Sequence, residues 1–122
     1  MQRPKMSDGP IEPRVLARRQ TPDGVELDLR IEDDLLSLRG HFPDLPIVPG
    51  VCLLDWAVRN AVRHLGLLEA GTPRFQVKFR HVLQPGIDVT LVLRPRPDGG
   101  VRFEYRHAAA IYATGTLLPA AP

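Results

Sequence analysis

Gly40-His41-Phe42-Pro43-Asp44-Leu45-Pro46-Ile47-Val48-Pro49-Gly50-Val51, running on into Cys52-Leu53-Leu54-Asp55-Trp56-Ala57, is the stretch from which the rest of the chain is read. Its first half is a loop stiffened by proline. Each proline fixes its own φ and keeps the residue before it out of helical backbone. Its second half changes period. From Pro49-Gly50 to Gly66, Val51, Leu54, Val58, Ala61, Val62 and Leu65 recur at spacings of three and four, the signature of one helix face. Leu53, Trp56 and Ala57 widen that apolar surface, so the helix is expected to be buried over much of its circumference. Gly66 supplies a stop, with Arg63 and His64 in the last turn.

Outward from this helix the chain reads as strands. Val25, Leu27, Leu29 and Ile31 alternate with Glu26, Asp28 and Arg30, a period of two. Thr21-Pro22-Asp23-Gly24 turns into that strand, and the segment around Arg14 to Arg18 is placed to pair with it as a hairpin. Beyond the helix, Phe75, Val77 and Phe79 alternate with Gln76, Lys78 and Arg80. Ile87 to Leu93 is a branched and leucine-rich run. Pro97-Asp98-Gly99-Gly100 turns into Val101, Phe103 and Tyr105, and Ala108 to Leu118 is a small-residue strand. One long helix with an antiparallel sheet is an α+β arrangement. Residues 1–12 and 119–122 read as tails around a single domain spanning 13–118.

The opening block also carries the chemistry. His41 stands in the stiff loop, and a histidine near its unperturbed pKa accepts a proton at neutral pH. It could equally cap a nearby carbonyl. Asp55 lies on the helix between apolar neighbours, where a carboxyl is expected to hold a proton to donate. The bland alternative is an acid near the helix N-terminus that pairs with Arg59 at i,i+4. Gly50 and Val51 offer backbone N–H groups at the helix start, suited to a carbonyl that gains negative charge. Glycine there also admits a close approach.

Gly40, His41, Phe42, Pro46, Pro49, Gly50 and Asp55 together resemble, position by position, the active-site segment of the 3-hydroxyacyl-thioester dehydratases of fatty-acid synthesis, which are hotdog-fold proteins. The block Val77-Lys78-Phe79-Arg80-His81-Val82-Leu83-Gln84-Pro85-Gly86 resembles the later strand and Pro-Gly turn of the same family. The two blocks cover about a third of the chain. The small dehydratase-like proteins of polyene and secondary-lipid gene clusters are the members it resembles most. The resemblance implies an antiparallel sheet wrapped around one central helix. It makes His41 and Asp55 catalytic and sets Phe42, Pro49, Gly50, Val51 and Arg59 against the substrate. It implies dehydration of a (3R)-hydroxyacyl chain on acyl carrier protein, with no metal or redox cofactor beyond the carrier's own phosphopantetheine. It further implies a dimer or dimer of dimers, of like or homologous subunits, in which His41 and Asp55 of one site come from different chains. The family's Asp-bearing branch also isomerises its product. Three departures stand out. Arg59 replaces a glutamine four residues after the acid, Asp44 a glycine, and Trp56 a small residue. A thioesterase, or a non-catalytic acyl-binding subunit with Asp55 locked to Arg59, are the other readings.

Composition narrows the field. At 122 residues, with 43% hydrophobic and 25% charged residues, the chain suits one soluble domain. A net charge of +2 argues against nucleic acid, which calls for a dense basic stripe. No apolar run reaches the roughly 18 residues of a membrane span, and Met1 to Ser7 leads into no apolar signal core, so a cytoplasmic location is expected. The single cysteine, Cys52, excludes an internal disulfide and reads as a buried thiol. Metal-ligand spacing, a glycine-rich phosphate loop and a Gly-x-Ser-x-Gly elbow are all absent.

Overall fold

The computed structural model describes residues 12–32, 47–69 and 73–120. The elements run in the order β1 (Arg14–Thr21), β2 (Gly24–Arg30), α1 (Gly50–Leu65), β3 (Arg74–Phe79), β4 (Asp88–Pro95), β5 (Val101–His107) and β6 (Ala110–Leu118). Among the described residues six strands form one sheet in the order β1-β2-β4-β5-β6-β3, and every neighbouring pair is antiparallel. This is the hotdog arrangement of one helix on one sheet.

Alternation decides which face meets the helix. Val25, Leu27 and Leu29 of β2, Val89, Leu91 and Leu93 of β4, and Val101, Phe103 and Tyr105 of β5 all turn inward and are buried. Against them α1 buries Cys52, Leu53, Trp56, Ala57, Asn60 and Ala61. Trp56 is fully enclosed. The Tyr105 hydroxyl, also enclosed, donates to the Leu53 carbonyl at 2.7 Å, which ties β5 to the helix. Gly115 is small for a reason: a Cβ there would lie 2.7 Å from the Phe103 ring.

The buried stripe of α1 differs from the one the spacing predicts. Ala61 is shared, but the centre of the buried face is Trp56 and Asn60. Val51 is exposed, and Leu54 and Val58 are only half-buried. The helix has two adjacent apolar stripes. The sheet takes the one bearing Trp56, whose area is largest, and leaves the other open. The C-terminus is as expected. Gly66 takes φ 68°, its N–H donates to the Val62 carbonyl, and Leu67 N–H reaches Ala61.

The tail boundary carries a further detail. Glu12 accepts two hydrogen bonds from Arg63, at 2.9 and 3.0 Å. His41 and Phe42, with the loop from Gly40 to Pro46, lie outside the described residues.

Candidate active site

Pro49 is the N-cap of α1, in extended backbone at φ −62°, with no side-chain cap. Its fixed φ sets the chain's entry, and its carbonyl accepts from Cys52 N–H at 3.0 Å. The preceding residues are moored, since Val48 N–H donates to the Leu83 carbonyl at 2.7 Å. The described part of the first sequence block, 47–57, and the second block, 77–86, therefore meet at the helix start.

A cavity of about 290 Å³ opens there, lined by Ile47, Val48, Gly50, Leu53 and the run Phe79–Leu83. Gly50 is under close approach, although from within the chain. A Cβ on it would lie 2.5 Å from the Phe79 ring. The glycine is required because an aromatic side chain of β3 packs on the helix's first turn.

Asp55 occupies the second turn. Helix geometry separates it from its sequence neighbours: Leu53, Trp56 and Ala57 go into the core, while Asp55 is turned out with its side chain about half exposed. The apolar enclosure expected from adjacent residues is thus not present around it within one chain. Its Oδ2 accepts from Arg59 Nε at 2.8 Å. Arg59 also lies 3.9 Å from Glu12, which Arg63 holds. Arg59, read from the sequence as a substrate contact, is in this chain a partner of the acid.

The same stripe of helix lines a groove of about 230 Å³. Val51, Leu54, Asp55 and Val58 form one wall; Pro73, Phe75 and Leu117 form the other. Among the described residues, Asp55 is the only charged one in that lining. A mostly apolar pocket with one placed polar group is the usual form of a small-molecule site. Sequence reading missed Phe75, Pro73 and Leu117. Phe75 could have been found from its place at the start of a strand whose apolar positions face the helix.

Cys52 is buried, and burial, with the nearby Asp55 carboxylate second, pushes its thiol up, so it is a poor nucleophile. Among the described residues no cluster of His, Cys, Asp or Glu is arranged to hold a metal ion. Nor is any helix among them long and apolar enough to cross a membrane.

The family model of ApeI-like proteins, described as ApeI dehydratase, matches residues 17–116. The chain belongs to the ApeI-like dehydratase family. Two solved structures agree with the membership. The dehydratase heterocomplex ApeI:P from Xenorhabdus doucetiae is 26% identical with a TM-score of 0.74, over 88% of this chain and 96% of that one. An uncharacterized protein from Erwinia carotovora subsp. atroseptica is 26% identical with a TM-score of 0.70, over 87% and 94%. No curated protein sequence matches the chain. The fold of this ApeI-like chain, a six-stranded sheet and one helix among the described residues, is thus shared with both structures.

Proposed function

We propose that this dehydratase acts on (3R)-hydroxyacyl chains carried by acyl carrier protein, within a complex of two homologous subunits. One observation carries the reading: a single carboxylate, Asp55, stands in the wall of an apolar groove on α1. A 3-hydroxyacyl chain has that make-up, apolar with one hydroxyl near its thioester. In this scheme His41 removes a proton from C2. The electron pair forms the C2–C3 double bond, the C3–O bond breaks, and Asp55 protonates the departing hydroxyl as water. Arg59 is placed to hold the carboxylate that remains. Backbone N–H groups of Gly50 and Val51 would face the thioester oxygen as it gains charge. The product is the trans-2-enoyl thioester. The elimination requires no metal or redox group.

The partner belongs to the proposal because the groove opens beside β3, the last strand of the sheet among the described residues. Phe75 of β3 and Val51 of α1 share that groove and are exposed, as is Phe79. The similar ApeI:P structure is a dehydratase heterocomplex. We place a homologous subunit, identical or different, along β3.

A second reading, a non-catalytic acyl-binding subunit, draws on the Asp55–Arg59 ion pair. Mass spectrometry after incubation with 3-hydroxyacyl carrier protein separates the readings. Loss of water is expected. Loss of the acyl group would indicate a thioesterase, and an unchanged substrate the non-catalytic subunit. In a dimer of two copies whose catalytic groups come from different chains, mixing His41→Ala with Asp55→Asn subunits restores dehydration. Failure to rescue in exchanging subunits would place both groups in one chain or make the partner a different subunit, and adding that subunit to each variant separates the two.

A further inference from the structure

We infer that the β3 edge is built for a partner strand with acidic outward side chains. The inference rests on the proposal that β3 is the pairing edge, and it adds the chemistry of the partner.

The observation is a division of charge across the outer face of the sheet. On the β1-β2-β4 side the charges are matched. Arg19 pairs with Asp28 at 2.7 Å, Arg106 with Glu26 at 3.2 Å, and Arg30 with Asp88. Near β3 they are not. Gln76, Lys78, Arg102, Thr114 and Thr116 line one shallow concavity on this face. Among the described residues, no carboxylate lies within ion-pair distance of Arg74, Lys78 or Arg102. Glu104, the anion nearest in register, is taken by Arg106 at 3.6 Å.

Alternation makes this decisive for pairing. In β3 the odd positions Phe75 and Phe79 line the helix-side cavities, and the even positions Gln76 and Lys78 face outward. An antiparallel partner that keeps its apolar residues on the helix side must set its own outward positions beside these. If the partner is a second copy, one of the two fullest such registers sets Arg74 of each strand opposite Lys78 of the other, and the second sets Lys78 opposite Gln76 with the other Lys78 on the diagonal. Arg102 of each sheet stands behind them. No acid lies on either strand, and like charges across a strand pair destabilise it. A strand carrying Asp or Glu at those positions would turn each repulsion into a cross-strand pair.

The test needs no identified partner. Wild type is mixed with the charge-reversed variant R74E/K78E, and the species are counted by native mass spectrometry. The mixed dimer is expected at about fivefold or more above its statistical share relative to the two homodimers. Raising salt should weaken the mixed dimer and tighten the wild-type homodimer, because screening removes attraction in one and repulsion in the other. Statistical mixing, or a wild-type homodimer that salt weakens, would overturn the inference. K78Q, which only removes a charge, should tighten self-association if R74E/K78E folds poorly by circular dichroism; no tightening counts against the inference. F75S should abolish association in every mixture. Association that survives F75S would mean that the edge itself is misassigned. Absence of dehydration in the mass-spectrometric assay would strike the proposed reaction and leave these outcomes standing.

Discussion

Asp55 owes its place to the helical period: residues beside it in sequence point into the core, and residues three and four away share its groove. Its role as acid is tested by Asp55→Asn, which keeps the shape and removes the donor. Dehydration should fall by about a hundredfold or more, while the midpoint of thermal unfolding moves little because the side chain is half exposed. Unchanged turnover would move the acid role to another group. Gly50 gives a sharper test of packing. Gly50→Ala drives a methyl to 2.5 Å from the Phe79 ring and should cost about 1–3 kcal/mol. Phe79→Ala in the same chain removes the ring, so the two losses should be strongly non-additive by denaturant titration. Additive losses would show that the ring does not constrain Gly50. Neither consequence can be read from Pro49-Gly50 alone, since the sequence marks a turn and cannot say what packs on it.

The helix and strands themselves were largely readable. Both ends of α1, the β1–β2 hairpin and all four later strands fall where period and turn residues put them. The exception is instructive. Spacing favoured the Val51-Leu54-Val58 stripe, yet the sheet buried the stripe through Trp56. Two overlapping stripes satisfy a period of 3.6 equally well, and only the partner surface chooses between them. The stripe left over then lines the candidate site. The strand edges show a related asymmetry. β1 carries Arg14, Arg18 and Arg19 and a register shift between Val15 and Ala17, features that discourage pairing. β3 has no such shift in its pairing with β6 and exposes Phe75 and Phe79. At this scale a clean prediction concerns the helix stop. Gly66 sits at φ 68°, and among the described residues nothing lies within 4 Å of where an added methyl would stand, so Gly66→Ala introduces no clash. Its cost is the left-handed backbone alone, about 1 kcal/mol in urea titration. A loss near zero would mean that the cap relaxes to another conformation.

Across the whole molecule, the sheet has one apolar face on the helix and one charged face, and the charged face was the less readable of the two. Which arginine meets which acid depends on strand order, and β2 beside β4 brings Asp28 to Thr90 and Arg30 to Asp88 across distant sequence. The pairing has a consequence for acid stability. The hydrogen bond from Arg19 holds the Asp28 carboxyl below its ordinary value, with Thr90 adding to it against the opposing effect of burial. Arg30 does the same for Asp88. Arg96, helped by the Gly100 N–H, takes Asp98 down to about 2. A carboxyl whose pKa is depressed on folding binds fewer protons in the native state than in the unfolded chain. Its stabilisation is therefore complete above the ordinary carboxyl value of about 3.9 and is lost as pH falls through the depressed native value. Unfolding free energy, measured by urea titration from pH 7 downward, should hold nearly level to about pH 5 and then decline toward pH 2. Asp28→Asn should lower stability at pH 7 by about 0.5–1 kcal/mol, as for a partly exposed pair, and should flatten the decline, because its acid form is already mimicked. A variant as stable as wild type at pH 7, with an undiminished acid slope, would show that the Arg19–Asp28–Thr90 cluster adds nothing to the sheet and that the acid sensitivity arises at the other carboxylates.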